Sequence, residues 1–102
     1  MSDIRQAREA LVQRILKGKG TASRAQRRAA FDNTGLVAPL STLIEKVATR
    51  SNKVTDEDIK VARASGLSED QIFELLVCAA VGQATREYET ALRELAAVSK
   101  KE

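Results

Sequence analysis

The sequence predicts an all-α protein, a single domain built as a bundle of about five helices. Apolar residues recur at three- and four-residue spacing along much of the chain, which is the period of a helix face. Cap residues, glycines and the one proline divide these stretches into separate helices. The sequence contains neither a sustained two-residue alternation nor an Asn-Gly or Asp-Gly turn, the patterns that indicate strands and hairpins. A length of 102 residues suits one domain.

The first two predicted helices lie in the basic part of the chain. The first begins near Asp3, a carboxylate that suits the positive end of a helix, and ends at Gly18. Ser23 is the expected N-cap of the second helix, which runs to about Asp32 and ends in Asn33-Thr34-Gly35. The apolar stripe of the first helix comprises Ile4, Ala7, Leu11, Val12, Ile15 and Leu16, with Arg8 among them.

The third and fourth helices are separated by a short polar break at 51–53. Pro39 fits the first turn of the third helix, because an N–H at that position has no helical partner in any case. Thr55 is the expected N-cap of the fourth helix, and the acidic residues 56–58 fill its positive end. Gly66 is expected directly after that helix in the left-handed conformation. The apolar face of the third helix comprises Leu40, Leu43, Ile44, Val47 and Ala48.

The fifth helix is the longest. Ser68 and Gln71 have the spacing of a capping box at its start. Gly82 costs a helix about 1 kcal/mol, so the helix either continues through it or bends there. Glu89 and Arg93 have the spacing of an i,i+4 ion pair. Its broad apolar face comprises Ile72, Phe73, Leu76, Val77, Ala80, Val81 and Ala84. We expect the structural centre to be formed by Ile72, Phe73, Leu76, Val77, Val81 and Tyr88.

Charge is distributed unevenly along the chain. Residues 1–30 carry eight Lys and Arg against two acidic residues, a net charge of +6, whereas residues 31–102 carry a net charge of −3. The two parts can attract each other within or between subunits, or the basic part can meet an anionic partner. Sixteen residues are Ala and three are aromatic, which predicts a thin core and favours association with further copies of the chain.

Several features predict a soluble, cytoplasmic protein. Residues 1–20 are charged and amphipathic and contain no secretory apolar region. No apolar run approaches the roughly 18–20 residues that cross a bilayer. A single cysteine cannot close an intramolecular disulfide, which fits a reducing compartment.

The stretch 66–75, Gly-Leu-Ser-Glu-Asp-Gln-Ile-Phe-Glu-Leu, leads into an Ala-rich helix. From about Thr42 to Leu95 the chain resembles the alkylhydroperoxidase-D-like / carboxymuconolactone-decarboxylase-like family. The resemblance implies the helical bundle of that family and its tendency to form homo-oligomers. On this interpretation residues 36–102 are the helical core of the family and residues 1–35 are a basic N-terminal helical extension.

The resemblance does not extend to the catalytic residues of the family. Members with known chemistry use a Cys-x-x-Cys pair with a nearby His, or a His with carboxylates. The Cys-x-x-Cys would fall near 51–54 and the His near Asp58, but this chain has no His and one Cys. A disulfide cycle within the chain needs a second thiol, and His is the usual proton carrier near neutral pH. We therefore interpret the chain as a catalytically silent, oligomeric accessory or interaction protein that needs no cofactor.

Two residues are candidate catalytic groups. Cys78 lies among apolar neighbours inside the fifth helix. It is either a buried hydrophobic residue, the thiol of a divergent thiol-dependent peroxidase, or one half of an intermolecular disulfide. Glu74 and Glu45 are the carboxylates expected to face inward. Glu74 is either a proton acceptor with a raised pKa or the partner of an arginine or a helix N-terminus.

Metal and nucleic-acid binding are the remaining alternatives. Residues 56–58 are all acidic, but neighbouring helical residues diverge by about 100° and no His joins them, so a metal site is not expected. The basic segment 14–28 could neutralise phosphates. It contains no aromatic residue for base stacking, so a solvated face or a contact with the acidic part of a neighbouring subunit is the preferred explanation.

Overall fold

The computed structural model describes residues 2–101, with side chains described for residues 3–99. Its five helices are α1 (Ser2–Lys17), α2 (Arg24–Asp32), α3 (Leu40–Arg50), α4 (Asp56–Arg63) and α5 (Glu69–Lys101). A 3-10 turn at Ser51–Lys53 joins α3 to α4. Residues 2–101 contain no strand, so the all-α prediction is confirmed.

The predicted starts of α2, α4 and α5 are confirmed by their hydrogen bonds. The Ser23 hydroxyl accepts a hydrogen bond from the main chain of the first turn of α2 at 3.0 Å. At the start of α4 the Asp58 N–H donates to the Thr55 hydroxyl, and the Thr55 N–H donates to the Asp58 carboxylate at 2.9 Å. Ser68 and Gln71 form the same reciprocal box before α5, at 2.9 and 3.1 Å. Each cap satisfies N–H groups that have no partner within the helix.

Two predicted helix boundaries are wrong by a few residues. Pro39 is the cap residue that precedes α3 rather than a residue of its first turn, and its carbonyl accepts the N–H of Leu43 at 3.3 Å. α4 ends at Arg63, three residues before Gly66. Gly66 does have the expected positive φ, 98°. The helix ends earlier because the N–H groups of residues 64–66 bond carbonyls three positions back, which tightens the chain into turns.

α5 runs unbroken through Gly82 for 33 residues, and its buried face is not the one predicted. Ile72 is buried as expected, but Phe73 is 67% exposed, and the other expected central residues are only half-buried. The face that packs on the bundle comprises Ile72, Leu75, Cys78, Ala79 and Gly82. Most of these residues are small, and small side chains let α2 and α3 approach the α5 backbone closely.

The core lies between α5 and the helices that cross it. One cluster joins Leu16, Ala22, Ala30 and Phe31 from the first 35 residues to Leu40, Ile44, Leu75, Cys78 and Ala79. A second cluster comprises Leu43, Ala62 and Ile72. Residues 1–35 therefore supply a substantial part of the main core.

The described part of the molecule is elongated, 54 × 28 × 21 Å. At 1.5 Å per residue α5 is about 50 Å long, and residues 93–99 near its end are exposed. The predicted stripe of α1 is covered only toward its C-terminal end: Leu16 is buried, whereas Ile4 and Leu11 are exposed. Within residues 2–101 none of the helices combines the length and apolarity of a membrane span.

Candidate functional site

A groove of about 220 Å³ between the end of α1, α2 and the first half of α5 brings both candidate catalytic residues together. We call it the Arg27 groove. Its lining comprises Arg14, Ile15, Lys19, Arg27, Phe73, Glu74, Val77 and Cys78. Cys78 and Glu74 are one helical turn apart on α5, and this spacing places both side chains in the same groove.

Arg27 fixes the end of α1 against α2. It is only 5% exposed, and its Nη1 donates to the carbonyls of Gly18 at 2.7 Å and Ile15 at 3.2 Å. A cation is favoured at the negative C-terminal end of a helix, and these carbonyls have no partner further along α1. The Nε atom of Arg27 is buried and has no hydrogen-bond partner among the described residues.

Glu74 binds the loop between α1 and α2. Its carboxylate accepts the N–H of Thr21 at 2.9 Å, the hydroxyl of Thr21 at 2.6 Å and the N–H of Ala22 at 2.9 Å. Burial raises the pKa of Glu74, but these hydrogen bonds and the charge of Arg27 outweigh burial and leave the pKa below its usual value. A side chain at Gly20 would overlap the Glu74 carboxylate. Glu74 is thus ionised and engaged, and its lowered pKa makes it a poor proton acceptor.

Cys78 is shielded in the wall of the groove. It is 1% exposed, and its sulfur lies 3.9 Å from the carbonyl of Ile15. Burial raises the pKa of the Cys78 thiol; the charge of Arg27 lowers it in part, and the charge of Glu74 raises it further. Reactive cysteines have the opposite environment, accessible and electropositive enough to favour the thiolate.

The other inward-facing carboxylate that we predicted, Glu45, is exposed on α3, so that prediction is wrong. Asp58 instead occupies a tertiary contact outside the groove. The Lys46 ammonium donates to it at 2.9 Å, and this hydrogen bond, followed by the N–H of Thr55, lowers the pKa of Asp58. Asp58 thus links α4 to α3, in the way that Glu74 links α5 to the loop before α2.

The i,i+4 pair predicted between Glu89 and Arg93 is not present. Glu89 lies 3.9 Å from Arg8 on α1, and Arg93 donates to the Thr90 hydroxyl at 3.2 Å. The guanidinium of Arg8 also lies 4.7 Å from the centre of the Tyr88 ring. Arg8 on α1 is therefore the partner of Glu89 in place of Arg93. Its guanidinium contacts the Glu89 carboxylate and the face of the Tyr88 ring together.

The basic segment 14–28 is not one uniform exposed face. Arg27 is buried, and Arg28 is paired with Asp32 at 2.9 Å. Arg14 and Lys19 are exposed at the rim of the Arg27 groove. Part of the segment's charge is therefore used inside the molecule. No group of three or more His, Cys, Asp or Glu side chains able to hold a metal ion lies within the described residues.

Sequence reasoning did not identify Arg27 as a site residue. It lies three and four positions before Ala30 and Phe31, and all three residues are buried on the same face of α2. That spacing places Arg27 on the face of α2 that carries Ala30 and Phe31, and this was the signal that could have identified it. Its partners are on α1 and could not be named from the sequence.

The groove therefore offers three cations, one engaged carboxylate, a neutral thiol and apolar walls. In this arrangement the Glu74 carboxylate has a lowered pKa and the Cys78 thiol a raised pKa, so neither is activated as a base or a nucleophile. Comparison with protein-family models, curated proteins and solved structures gives no match to this chain.

Proposed function

We propose that the protein is a catalytically silent member of the alkylhydroperoxidase-D-like / carboxymuconolactone-decarboxylase-like family. Its role is that of an oligomeric helical accessory or interaction protein. The family part of the proposal rests on the resemblance of residues 42–95. The single observation that carries self-association is a long apolar surface on α1 and α5 that no other part of the described chain covers. We call this surface the α1–α5 face.

The outward side of α5 contributes most of the α1–α5 face. Successive members are three or four positions apart, the spacing of a helix that packs along a second helix. Phe73, Leu95 and Val98 are 67%, 63% and 56% exposed, and Glu87 is the charged residue that interrupts the run. The α5 members of the face are Phe73, Val77, Ala80, Ala84, Ala91, Leu95 and Val98.

α1 extends the same surface. Ile4, Ala7 and Leu11 are exposed and Ile15 is half-buried, at the spacing of one helix face. Ile15 lines the same groove as the α5 residues Phe73 and Val77. The α1 stripe therefore adjoins the α5 stripe at the Arg27 groove, where the charged groove residues lie between them.

A second copy of the chain suits this surface in area and in chemistry. The α5 stripe is about 38 Å long and the α1 stripe about 17 Å; at a helix width of about 10 Å, two copies bury roughly 1,100 Å². That area just clears the lower limit of roughly 1,000 Å² for a biological interface and is at the small end of the range. Ala80, Ala84 and Ala91 permit close helix packing. A surface that meets itself also avoids like charges, and the α1–α5 face is mostly uncharged.

The state of the two candidate catalytic groups supports the catalytically silent part of the proposal. The carboxylate of Glu74 is bonded to the loop before α2, and its pKa is lowered. The thiol of Cys78 is buried, and its pKa is raised. Both shifts oppose the use of these groups as a base or a nucleophile near neutral pH.

The test of self-association is the molar mass in solution, measured by light scattering over a range of concentrations. The wild-type chain should exceed its monomer mass of 11.1 kDa. Ala84→Glu places a charge in the middle of the α1–α5 face and should reduce the mass to that of the monomer. Ala25→Glu, at an exposed site on α2, is the matched control and should leave the mass unchanged. A wild-type chain that is monomeric at every concentration contradicts the proposal.

One observation favours a second candidate, a divergent thiol-dependent peroxidase. Cys78 shares its groove with Arg27, and the charge of Arg27 lowers the pKa of the thiol in part. Peroxide consumption in the presence of a thiol reductant separates the two functions. We expect wild type and Cys78→Ser to be equally inactive; activity in wild type that disappears in Cys78→Ser would establish the enzyme.

A further inference from the structure

We infer that the Arg27 groove binds a small amphipathic anion, a molecule with one acidic group on a short hydrocarbon chain. Three of the lining residues, Ile15, Phe73 and Val77, also belong to the α1–α5 face. The inference goes beyond the proposed function, and ligand binding and self-association are therefore measured side by side.

The net positive charge of the groove lining favours an anionic ligand. Arg14, Lys19 and Arg27 contribute three cations against the one carboxylate of Glu74. That carboxylate is already bonded to the main chain and hydroxyl of Thr21 and to the main chain of Ala22. The groove therefore keeps an excess of positive charge in a partly desolvated setting, where a charge interaction is stronger than in water.

Arg27 is an independent reason to expect a ligand. The residue is 95% buried, its Nη1 donates both of its hydrogen bonds to the described chain, and its buried Nε has no partner among the described residues. Buried polar groups are almost always paired, and an exception in a native structure calls for an explanation. A guanidinium suits an acidic group, because its donors match two oxygens at once. An anion in the groove would compensate the charge of Arg27.

The apolar part of the lining indicates that the ligand also carries a hydrocarbon group. Ile15, Val77 and the neutral thiol of Cys78 form the wall, and the Phe73 ring stands 67% exposed at its edge. An exposed phenylalanine that borders a cationic groove offers hydrocarbon contact next to charge. A volume of about 220 Å³ is below the roughly 300–1,000 Å³ of drug-sized sites, so the chain of the ligand is short.

Titration calorimetry with octanoate tests the inference, and inorganic phosphate and 1-octanol serve as probes of charge alone and chain alone. Octanoate should bind saturably, at least about tenfold more tightly than either probe, and more weakly as salt is added. Binding of octanoate no tighter than that of phosphate would overturn the inference, because it would show a counter-ion only. An absence of saturable octanoate binding would overturn it as well.

Variants locate the site. Lys19→Gln removes one charged contact at an exposed position outside the α1–α5 face, and it should weaken octanoate binding by about tenfold. Lys17→Gln, exposed on α1 but outside the lining, is the control for Lys19 and should bind as wild type does. Equal affinity in Lys19→Gln and Lys17→Gln would place the ligand elsewhere and overturn the inference.

The molar mass of each sample is measured beside the titration. Lys19 is not part of the α1–α5 face, so its variant should lose octanoate affinity while its mass stays that of wild type. Ala84→Glu should do the reverse, because Ala84 does not line the groove. A failure of ligand binding is thus distinguished from a failure of self-association.

Discussion

Glu74 and Thr21 are 53 positions apart in the sequence, and two kinds of hydrogen bond join them. The main-chain N–H of Thr21 donates to the Glu74 carboxylate at 2.9 Å, and the Thr21 hydroxyl donates to it at 2.6 Å. This contact fixes the loop that leads into α2 against α5. It thereby holds the end of α1, the start of α2 and the Arg27 groove in one arrangement.

Replacing Glu74 by Gln should lower the free energy of unfolding at pH 7 by about 1–2 kcal/mol. The amide keeps one acceptor oxygen and turns a donor toward the N–H groups of Thr21 and Ala22. Urea denaturation of both proteins measures the difference. Glu45→Gln, at an exposed carboxylate on α3, is the control and should change the stability little.

The stabilisation by Glu74 should depend on pH in a defined direction. Its pKa is lowered in the folded protein, so the contribution is present above the ordinary glutamate value of about 4.3 and is lost as the pH falls through the folded-state pKa. The gap between wild type and Glu74→Gln should therefore narrow in acid. Asp58, whose pKa is also lowered, titrates in both proteins and cancels in the comparison. A stability difference between wild type and Glu74→Gln that increased in acid would contradict the lowered pKa of Glu74.

Cys78 should react slowly with a chromogenic disulfide reagent in the folded protein. Its pKa is raised by burial, so the thiolate fraction near neutral pH is below that of a free cysteine, and the sulfur is 1% exposed. Reaction should become fast only in denaturant. Cys78→Ser gives the blank. Fast reaction of the folded chain at neutral pH would show an activated thiol and favour the peroxidase.

Gly82→Ala should destabilise the protein by about 1–3 kcal/mol, although Ala is the better helix former by about 1 kcal/mol. A Cβ at Gly82 would overlap the main-chain carbonyl of Phe31, and that carbonyl also accepts a hydrogen bond from Arg86 at 2.6 Å. Ala96→Gly, at an exposed site of the same helix, should lose only the helix propensity. Thermal unfolding of the two variants compares them; a more stable Gly82→Ala would mean that α2 can move away.

Thr55→Ala should cost about 1 kcal/mol, because it removes the N-cap of α4. The hydroxyl of Thr49, by contrast, bonds the carbonyl of Glu45 four positions back within α3 at 2.8 Å. Thr49→Ala should therefore be neutral or slightly stabilising, since Ala has the higher helix propensity. Equal losses in both variants, measured by urea denaturation, would show that the cap contributes nothing specific.

The helices and their starts could be read from the sequence because their determinants are local. Ser23, Thr55 and Ser68 each cap a helix through a partner three residues further on. Spacing alone specifies such a bond, whatever the rest of the chain does. The apolar face of α3 was predicted for the same reason, since Leu43 and Ile44 follow one helical period and are buried. The one-turn separation of Cys78 and Glu74 on a single helix also follows from local periodicity.

The tertiary structure decided which face of α5 is buried, and with it the nature of the site. Phe73 is larger and more apolar than Ala79 or Gly82, yet it is exposed, because the close approach of α2 requires small residues on the inward side. The inward role of Glu74 rather than Glu45, and of Arg27 among the neighbouring arginines, depends on partners on other helices. A sequence pattern fixes the period of a helix and the bonds within it; packing against distant backbone fixes its rotation.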